Sequence, residues 1–418
     1  MEFSFPQTVD CAFILARKEG GIVYLEAADH IDEERMAYLV EALVGSQQRY
    51  HQENTNNVIL DQRALPICKG ISLGGNAIDG QLVSELASAI AQHPVPFFLG
   101  INENRIGDVG ARLLANQCIA PPFTALQSLS VANCAIGTEG MVALFAALGN
   151  NSSLQLFNIG GNKVEAQAVS VLSASLARNT SLVDLIMDRT NLNDEGARLL
   201  AEGLMANHTV ESLAVPHCRI GNDGLGHLSR VMEWNPVLHS YNLSNNRIGD
   251  EGLRHLARAV RVCTHPWDDQ RPYQLHVILY RQRSRFRAES VRGVISACAQ
   301  NTESFAYVEF DRREGVTELR DQAFLLHRRE REARTAISNN TVALWPSILA
   351  YLLYRHRDSG NVNLSIAYRQ LVRYPDLFYY RPRFWNADAH ENTLQHSDAA
   401  TEVSGSERQF VGENSSQE

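Results

Sequence analysis

The stretch SNNRIGDEGLRHLAR, Ser244 to Arg258, has a close copy in NENRIGDVGARLLAN, Asn102 to Asn116. A phrase repeated at a distance points to a unit that recurs at a fixed period, and the period restricts the fold more than any composition does. Steps of 28 residues lead back from Asn246 to Cys218, Thr190, Asn162 and Cys134; a step of 30 then reaches Asn104, and a last one of 28 reaches Asn76. Each landing point is small and either polar or a thiol. An apolar residue stands five and three places before it and an aliphatic residue two places after, as in Leu99/Ile101/Asn104/Ile106 and Leu185/Met187/Thr190/Leu192. A glycine usually comes next, at Gly110, Gly140, Gly196, Gly224 and Gly252, and then a helical apolar pattern such as Leu253, Leu256, Ala257 and Val260. The longer step falls in NQCIAPPFTAL, where Pro121 and Pro122 stop a helix and lengthen the loop.

In each unit the alternating apolar residues of a short strand point into a core, and their neighbours point out of a parallel sheet. Strands stack about 4.8 Å apart and packed helices about 8–10 Å apart, so the array must bend with its strands on the concave side. Asparagine at the end of each strand offers two donors and an acceptor to the backbone of the turn and of the next unit, and a cysteine does this more weakly. Asn76, Asn104, Cys134, Asn162, Thr190, Cys218 and Asn246 are therefore expected to form a buried structural ladder.

On these residues the chain resembles the leucine-rich-repeat family, in particular its ribonuclease-inhibitor-like class. The likeness covers residues 64–262, with Ala168 in place of one glycine and Thr190 as an uncommon ladder residue. It implies an α/β solenoid, a horseshoe or arc with parallel strands on the concave face and helices on the convex face. A mainly helical C-terminal cap is expected to follow, since an array exposes apolar ends. The expected divisions are an N-terminal cap or degenerate repeat (1–56), the repeat array (57–262, about seven regular repeats), degenerate repeats with an insertion (263–312), a helical C-terminal region (313–385) and a disordered tail (386–418).

The rest of the sequence excludes more than it assigns. With 44% hydrophobic and 20% charged residues the chain is composed like a soluble globular protein. No apolar run is long enough to span a bilayer and no secretory leader is evident, so the cytoplasm or nucleus is the expected compartment. Seven cysteines without a C-x-x-C pair read as reduced thiols, and the N-x-[ST] matches at Asn179 and Asn207 as chance. The three lysines, Lys18, Lys69 and Lys163, lie in no nucleotide-binding or kinase motif. Ser72 in GISLG matches G-x-S-x-G, yet it falls between the inward-pointing Ile71 and Leu73, where a nucleophile cannot be presented. Histidines and cysteines near HCRIGNDGLGH fit no zinc spacing. Neither catalytic nor metal residues are expected, and no small-molecule cofactor.

Charge is uneven. Residues 1–265 hold 18 basic and 27 acidic side chains, residues 266–385 hold 19 and 13, and residues 386–418 hold one and seven. The basic run YRQRSRFR, Tyr280 to Arg287, suits phosphates or an acidic partner, although such runs are more often solvated surface, and nucleic-acid contact is disfavoured.

The expected working surface is the concave face. Its candidate ligand-binding residues are Asn158, Asp184, Ile186, Asp188, Arg189, His217 and Asn242, with Ile186 as an apolar anchor rimmed by charge. The expected function is a non-enzymatic scaffold for a partner protein. The alternative, implied by resemblance to Ran GTPase-activating proteins, is a regulator of a small GTPase. The convex side and the C-terminal region compete as the binding surface. A sensor fragment of the NOD-like-receptor kind would lack here a P-loop domain to signal through.

Overall fold

The computed structural model describes residues 21–25, 31–55, 68–121, 124–263, 275–301 and 306–310. The expectations for residues 313–385 and 386–418 lie outside the described residues. The chain divides into two compact units, and every described residue belongs to the first.

Strands and helices alternate along the chain. They are β1 (Ile22–Tyr24), α1 (Glu33–Thr55), β2 (Gly70–Ser72), α2 (Leu82–Ala91), β3 (Phe97–Gly100), α3 (Gly107–Leu114), β4 (Leu126–Ser130), α4 (Thr138–Leu148), β5 (Leu156–Asn158) and α5 (Ala166–Leu176). Then come β6 (Asp184–Ile186), α6 (Asn193–Ala206), β7 (Ser212–Ala214), α7 (Asn222–Trp234), β8 (Ser240–Asn242), α8 (Asp250–Val262), β9 (Leu275–Leu279), α9 (Ala288–Gln300) and β10 (Ala306–Phe310). The ten strands form one sheet in chain order, and neighbouring pairs are parallel. This is the solenoid of stacked strand–helix units that the 28-residue period implies. Two further strands, β9 and β10, continue the sheet beyond the regular period.

Each short strand buries its central residue, for example Phe157, Leu185, Leu213 and Tyr241, and the residue just after the strand, for example Ile159, Met187, Val215 and Leu243. The helices close the core with Leu172 and Leu176, Leu200 and Leu204, Leu228 and Met232, and Leu256 and Val260. Phe145 of α4 meets Phe157 of β5 edge to face, with ring centroids 6.3 Å apart. The two extra residues between Asn104 and Cys134 have a helical as well as a loop origin. Ala115–Ile119 winds as a π turn at the end of α3, which widens the helix, and a bulge at Phe97/Phe98 shifts the register with β4.

All seven ladder positions are buried, from 0% exposure at Cys134, Thr190 and Cys218 to 3% at Asn162. Asn162 Oδ1 accepts the N–H groups of Cys134 (3.0 Å) and Ile136 (3.1 Å), and its Nδ2 donates to the carbonyls of Val131 (2.8 Å) and Ile159 (2.9 Å). Asn104 and Asn246 repeat the arrangement. The thiols of Cys134 and Cys218 donate to Ile101 and Met187 of the preceding unit, at 3.0 and 2.9 Å. Thr190 is too short for that and donates to Met187 of its own turn at 2.9 Å. In the unit of β9 the ladder residue is Gln282. Its Nε2 donates to the Leu243 carbonyl at 2.8 Å, and its Oε1 accepts the Ile248 N–H at 3.2 Å.

A second ladder runs along the other edge, and it gives two of the N-x-[ST] asparagines a structural role. Asn179 and Asn207 are 4% and 1% exposed, buried as the chance reading of their sequons requires, and they tie helix ends together. Asn179 Nδ2 donates to Leu148 (2.8 Å) and Asn151 (3.0 Å) of the preceding unit, and its Oδ1 accepts the N–H groups of Ser181 and Leu182. Asn207 and Asn235 do the same for their units. Three of the carbonyls served, those of Leu148, Leu176 and Leu204, lie in the last turns of helices, where intrahelical donors run out.

Candidate functional site

One face of the sheet packs on the helices, and the other carries two rows of side chains in register. Asn158, Ile186, Ala214 and Asn242 are successive partners in one row, and Leu156, Asp184, Ser212 and Ser240 in the other. Four of the expected residues, Asn158, Asp184, Ile186 and Asn242, therefore lie on this floor, all half-buried. The other three, Asp188, Arg189 and His217, sit in the turns where the strands end.

Short side chains dominate the floor, so the backbone is approachable, and the longer groups stand out. Asp184 is held above the usual carboxylate range, chiefly because its surroundings strip water from it, with Glu211 adding repulsion; Ser212 and His239 act in the opposite sense. Asp188 is ion-paired to Arg189 at 3.1 Å through Oδ2, while its Oδ1 is buried without a hydrogen-bond partner. An unsatisfied carboxylate oxygen is a cost that a fold rarely retains without use. Arg189 and His217 both have left-handed backbone, with φ of 53° and 54°, where glycine or asparagine is the least strained choice. Asn158 and Asn242 are in part structural: their Oδ1 atoms accept the N–H groups of Gly160 and Ser244, each at 3.1 Å.

The face extends further than the expected set. His276 of β9 is the register partner of Ser240, and Tyr307 and Glu309 of β10 continue the two rows. His276 Nε2 and Glu309 Oε1 are 2.8 Å apart. The signal was in the sequence, since SFAYVEFD parallels SLVDLIMD and sets Tyr307 and Glu309 opposite Asp184 and Ile186.

Chemistry is muted elsewhere. Burial pushes the thiols of Cys68 and Cys134 up to about 11 and those of Cys118 and Cys298 to about 12, the reverse of what a nucleophile needs. No described cysteine is in a disulfide. Ser72 lies on β2 and is 4% exposed. Among the described residues no three His, Cys, Asp or Glu side chains are grouped to hold a metal ion, and no helix is long and apolar enough to cross a membrane. On the helical side a groove of about 550 Å³ is lined by Asp194, Glu195, Arg198, Asp223, His227 and Arg230, among others. Its charges largely answer each other, with Arg198 held by Glu195 and Glu202. Trp234, at the end of α7, is 73% exposed.

A sequence profile described as "Leucine Rich repeat" matches residues 124–145, 206–229 and 235–257. Over 142 residues the chain is 25% identical to the human protein "NACHT, LRR and PYD domains-containing protein 13", a match that takes in 32% of this chain and 13% of that protein. Among solved structures it is similar to the tropomodulin C-terminal domain of Caenorhabditis elegans, at 14% identity and a TM-score of 0.31, covering 41% of this chain and 98% of that one. It is also similar to a chain of the yeast Rad7 and Elc1 complex, at 13% identity and a TM-score of 0.31, covering 66% and 73%.

Proposed function

Because the chain is a leucine-rich-repeat protein, we propose that it is a non-enzymatic scaffold, of the ribonuclease-inhibitor-like class, that binds a partner protein on the concave face of its sheet. The observation that carries this reading is the floor itself. It is an uninterrupted parallel sheet with helices on one side and, on the other, two registered rows of small side chains around Ile186 and Asp184. A stiff sheet of this kind presents groups at strand spacing with little to order on binding, which favours association with a preformed surface. Ile186 supplies the apolar anchor, and Asp184, Asp188 and Arg189 the charged rim. The buried free thiols that serve the ladder support a reducing compartment, the cytoplasm or nucleus.

The test is affinity capture from the source cells with wild type, Ile186→Asp and Trp234→Glu. Partners lost with Ile186→Asp and kept with Trp234→Glu support the concave face; the opposite pattern assigns binding to the convex side and rejects it. Single-turnover GTP hydrolysis with a panel of small GTPases addresses the Ran GTPase-activating-protein alternative. Acceleration by the intact chain would replace the scaffold reading with a regulatory one.

A further inference from the structure

The turns that follow the strands form an edge of their own. After β7, β8 and β9 the chain passes the ladder residues Cys218, Asn246 and Gln282 and at once presents Arg219, Arg247 and Arg283, all exposed. These turns are stacked neighbours: Arg247 N–H donates to the Ile220 carbonyl at 2.7 Å, and Arg283 N–H to the Asn246 carbonyl at 3.0 Å. Gln282 makes two of the asparagine's bonds across the insertion, so Arg283 follows the ladder residue of its turn as Arg247 does, with its N–H on Asn246 where that of Arg247 meets Ile220. Arg281, on the other side of the ladder residue, adds a fourth exposed guanidinium, and Arg285 a fifth.

Arg219 and Arg281 stand at left-handed positions, with φ of 59° and 49°, where asparagine or glycine would be less strained. The segments His217–Gly221, Asn245–Gly249 and Tyr280–Arg287 contain no carboxylate. Among the described residues none of Arg219, Arg247, Arg281, Arg283 and Arg285 is in an ion pair. The carboxylates beyond the turns open the helices, and one of them, Asp250, is engaged by the N–H and guanidinium of Arg287.

Like charges at strand spacing, about 4.8 Å from turn to turn, repel one another and hold a positive potential along the ridge. That potential is lowered by an external anion laid across the turns. We propose that this arginine ridge binds an acidic, Asp/Glu-rich segment of the partner protein. The proposal deepens the scaffold reading and rests on it. An extended peptide places alternate side chains about 6.8 Å apart, a mismatch that arginine's long stem absorbs. At β7 and β8 the floor beside the ridge is Ser212, Ala214, Ser240 and Asn242, without a ring on which a nucleic-acid base could stack, and the neighbouring rings of His276 and Tyr307 lie farther along, on β9 and β10.

The experiment uses the full chain and fluorescein-labelled twelve-residue peptides, polyglutamate and polyglutamine, read by anisotropy at low and high salt. The expected result is that wild type prefers polyglutamate by about tenfold, and that Arg219→Glu/Arg247→Glu/Arg283→Glu abolishes the preference with an unchanged melting temperature. If the triple reversal does not fold, the Arg→Gln triple is read instead, with a loss of about tenfold. Equal binding of the two peptides by wild type, or undiminished polyglutamate binding by the folded triple variant, overturns the proposal. So does tighter binding of a twelve-residue thymidine oligonucleotide than of polyglutamate. Ile186→Asp separates the two readings. Retained polyglutamate binding in that variant leaves the ridge standing even where capture on the floor fails, and its loss there moves the acidic segment to the floor.

Discussion

At the scale of the residue, the ladder separates groups that hold the fold from groups the fold merely tolerates. Asn162 satisfies four backbone groups in two units, whereas Thr190 satisfies one in its own turn, so positions that look equivalent by period differ in what they contribute. Asp184 is the tolerated kind. Its carboxyl is half-buried on the floor, and loss of water holds its proton on to higher pH than in the unfolded chain. A group with a raised folded-state pKa makes the native state bind more protons than the unfolded one through that interval, so stability falls as pH rises across it. The penalty is fully present above the folded value and absent below the ordinary carboxylate range. Asp184→Asn is therefore expected to raise the melting temperature at pH 7, with the difference from wild type closing as the pH is lowered through the carboxylate range. Thermal melts at several pH values check this. A variant that melts lower than wild type at pH 7 would show that Asp184 is a structural support and not a group kept for a ligand.

At the scale of the element, the starts of α4, α7 and α8 are each capped by the helix before. Asp194, near the start of α6, accepts the N–H groups of Gly221 (2.6 Å) and Gly224 (3.0 Å) where α7 begins, and Asp108 does the same for Gly137 and Gly140 before and within α4. Asn222 of α7 caps α8 through Gly249 and Gly252. A Cβ on Gly224 would stand 2.5 Å from the Asp194 oxygen, so these glycines make room for the carboxylate. Where the preceding helix offers Ala166, no such cap exists, and Asn193 caps its own helix by accepting from Glu195 and Gly196. Gly224→Ala should thus destabilise the chain by about 1–2 kcal/mol although alanine is the better helix former, as should Asp194→Ala through the lost cap. In the double variant the two losses should be clearly less than additive, because the clash requires the carboxylate. Denaturant unfolding of the four proteins measures this, and strict additivity would refute the shared site. The repeat register, the strand faces and the first ladder were legible because each recurs every 28 residues with a distinctive residue type. The caps were not, since they join a carboxylate in one unit to a glycine in the next, and no single position displays the pair. The second ladder was hidden for another reason: asparagine followed two places on by serine or threonine also spells a glycosylation motif. Gln282 escaped because it lies 36 residues from Asn246, past an insertion.

At the scale of the whole molecule, stability is a chain of neighbour terms. Among the described residues every strand pairs only with the strands next to it in sequence, so an inner unit is held through its two neighbours. The interfaces with those neighbours are spliced by side chains that bond the backbone of both units, and a break in one splice should be felt locally. Asn246 is the informative place to cut. It accepts from Cys218 and Ile220 and donates to Val215 on one side, while Gln282 continues the splice on the other. Asn246→Ala leaves these buried groups unpaired, a loss of about 3 kcal/mol concentrated between β7 and β9. Native-state hydrogen exchange should then show faster exchange at the Cys218 and Ile220 amides and in β9 and β10, which lose their anchorage to the array. The amides of β4 to β6 should keep their wild-type protection. A uniform drop from β2 to β10 would mean that the array opens as one cooperative body. In that case a partner bound at Ile186 would sense a change at any unit, and the floor could not be treated as a row of separable sites.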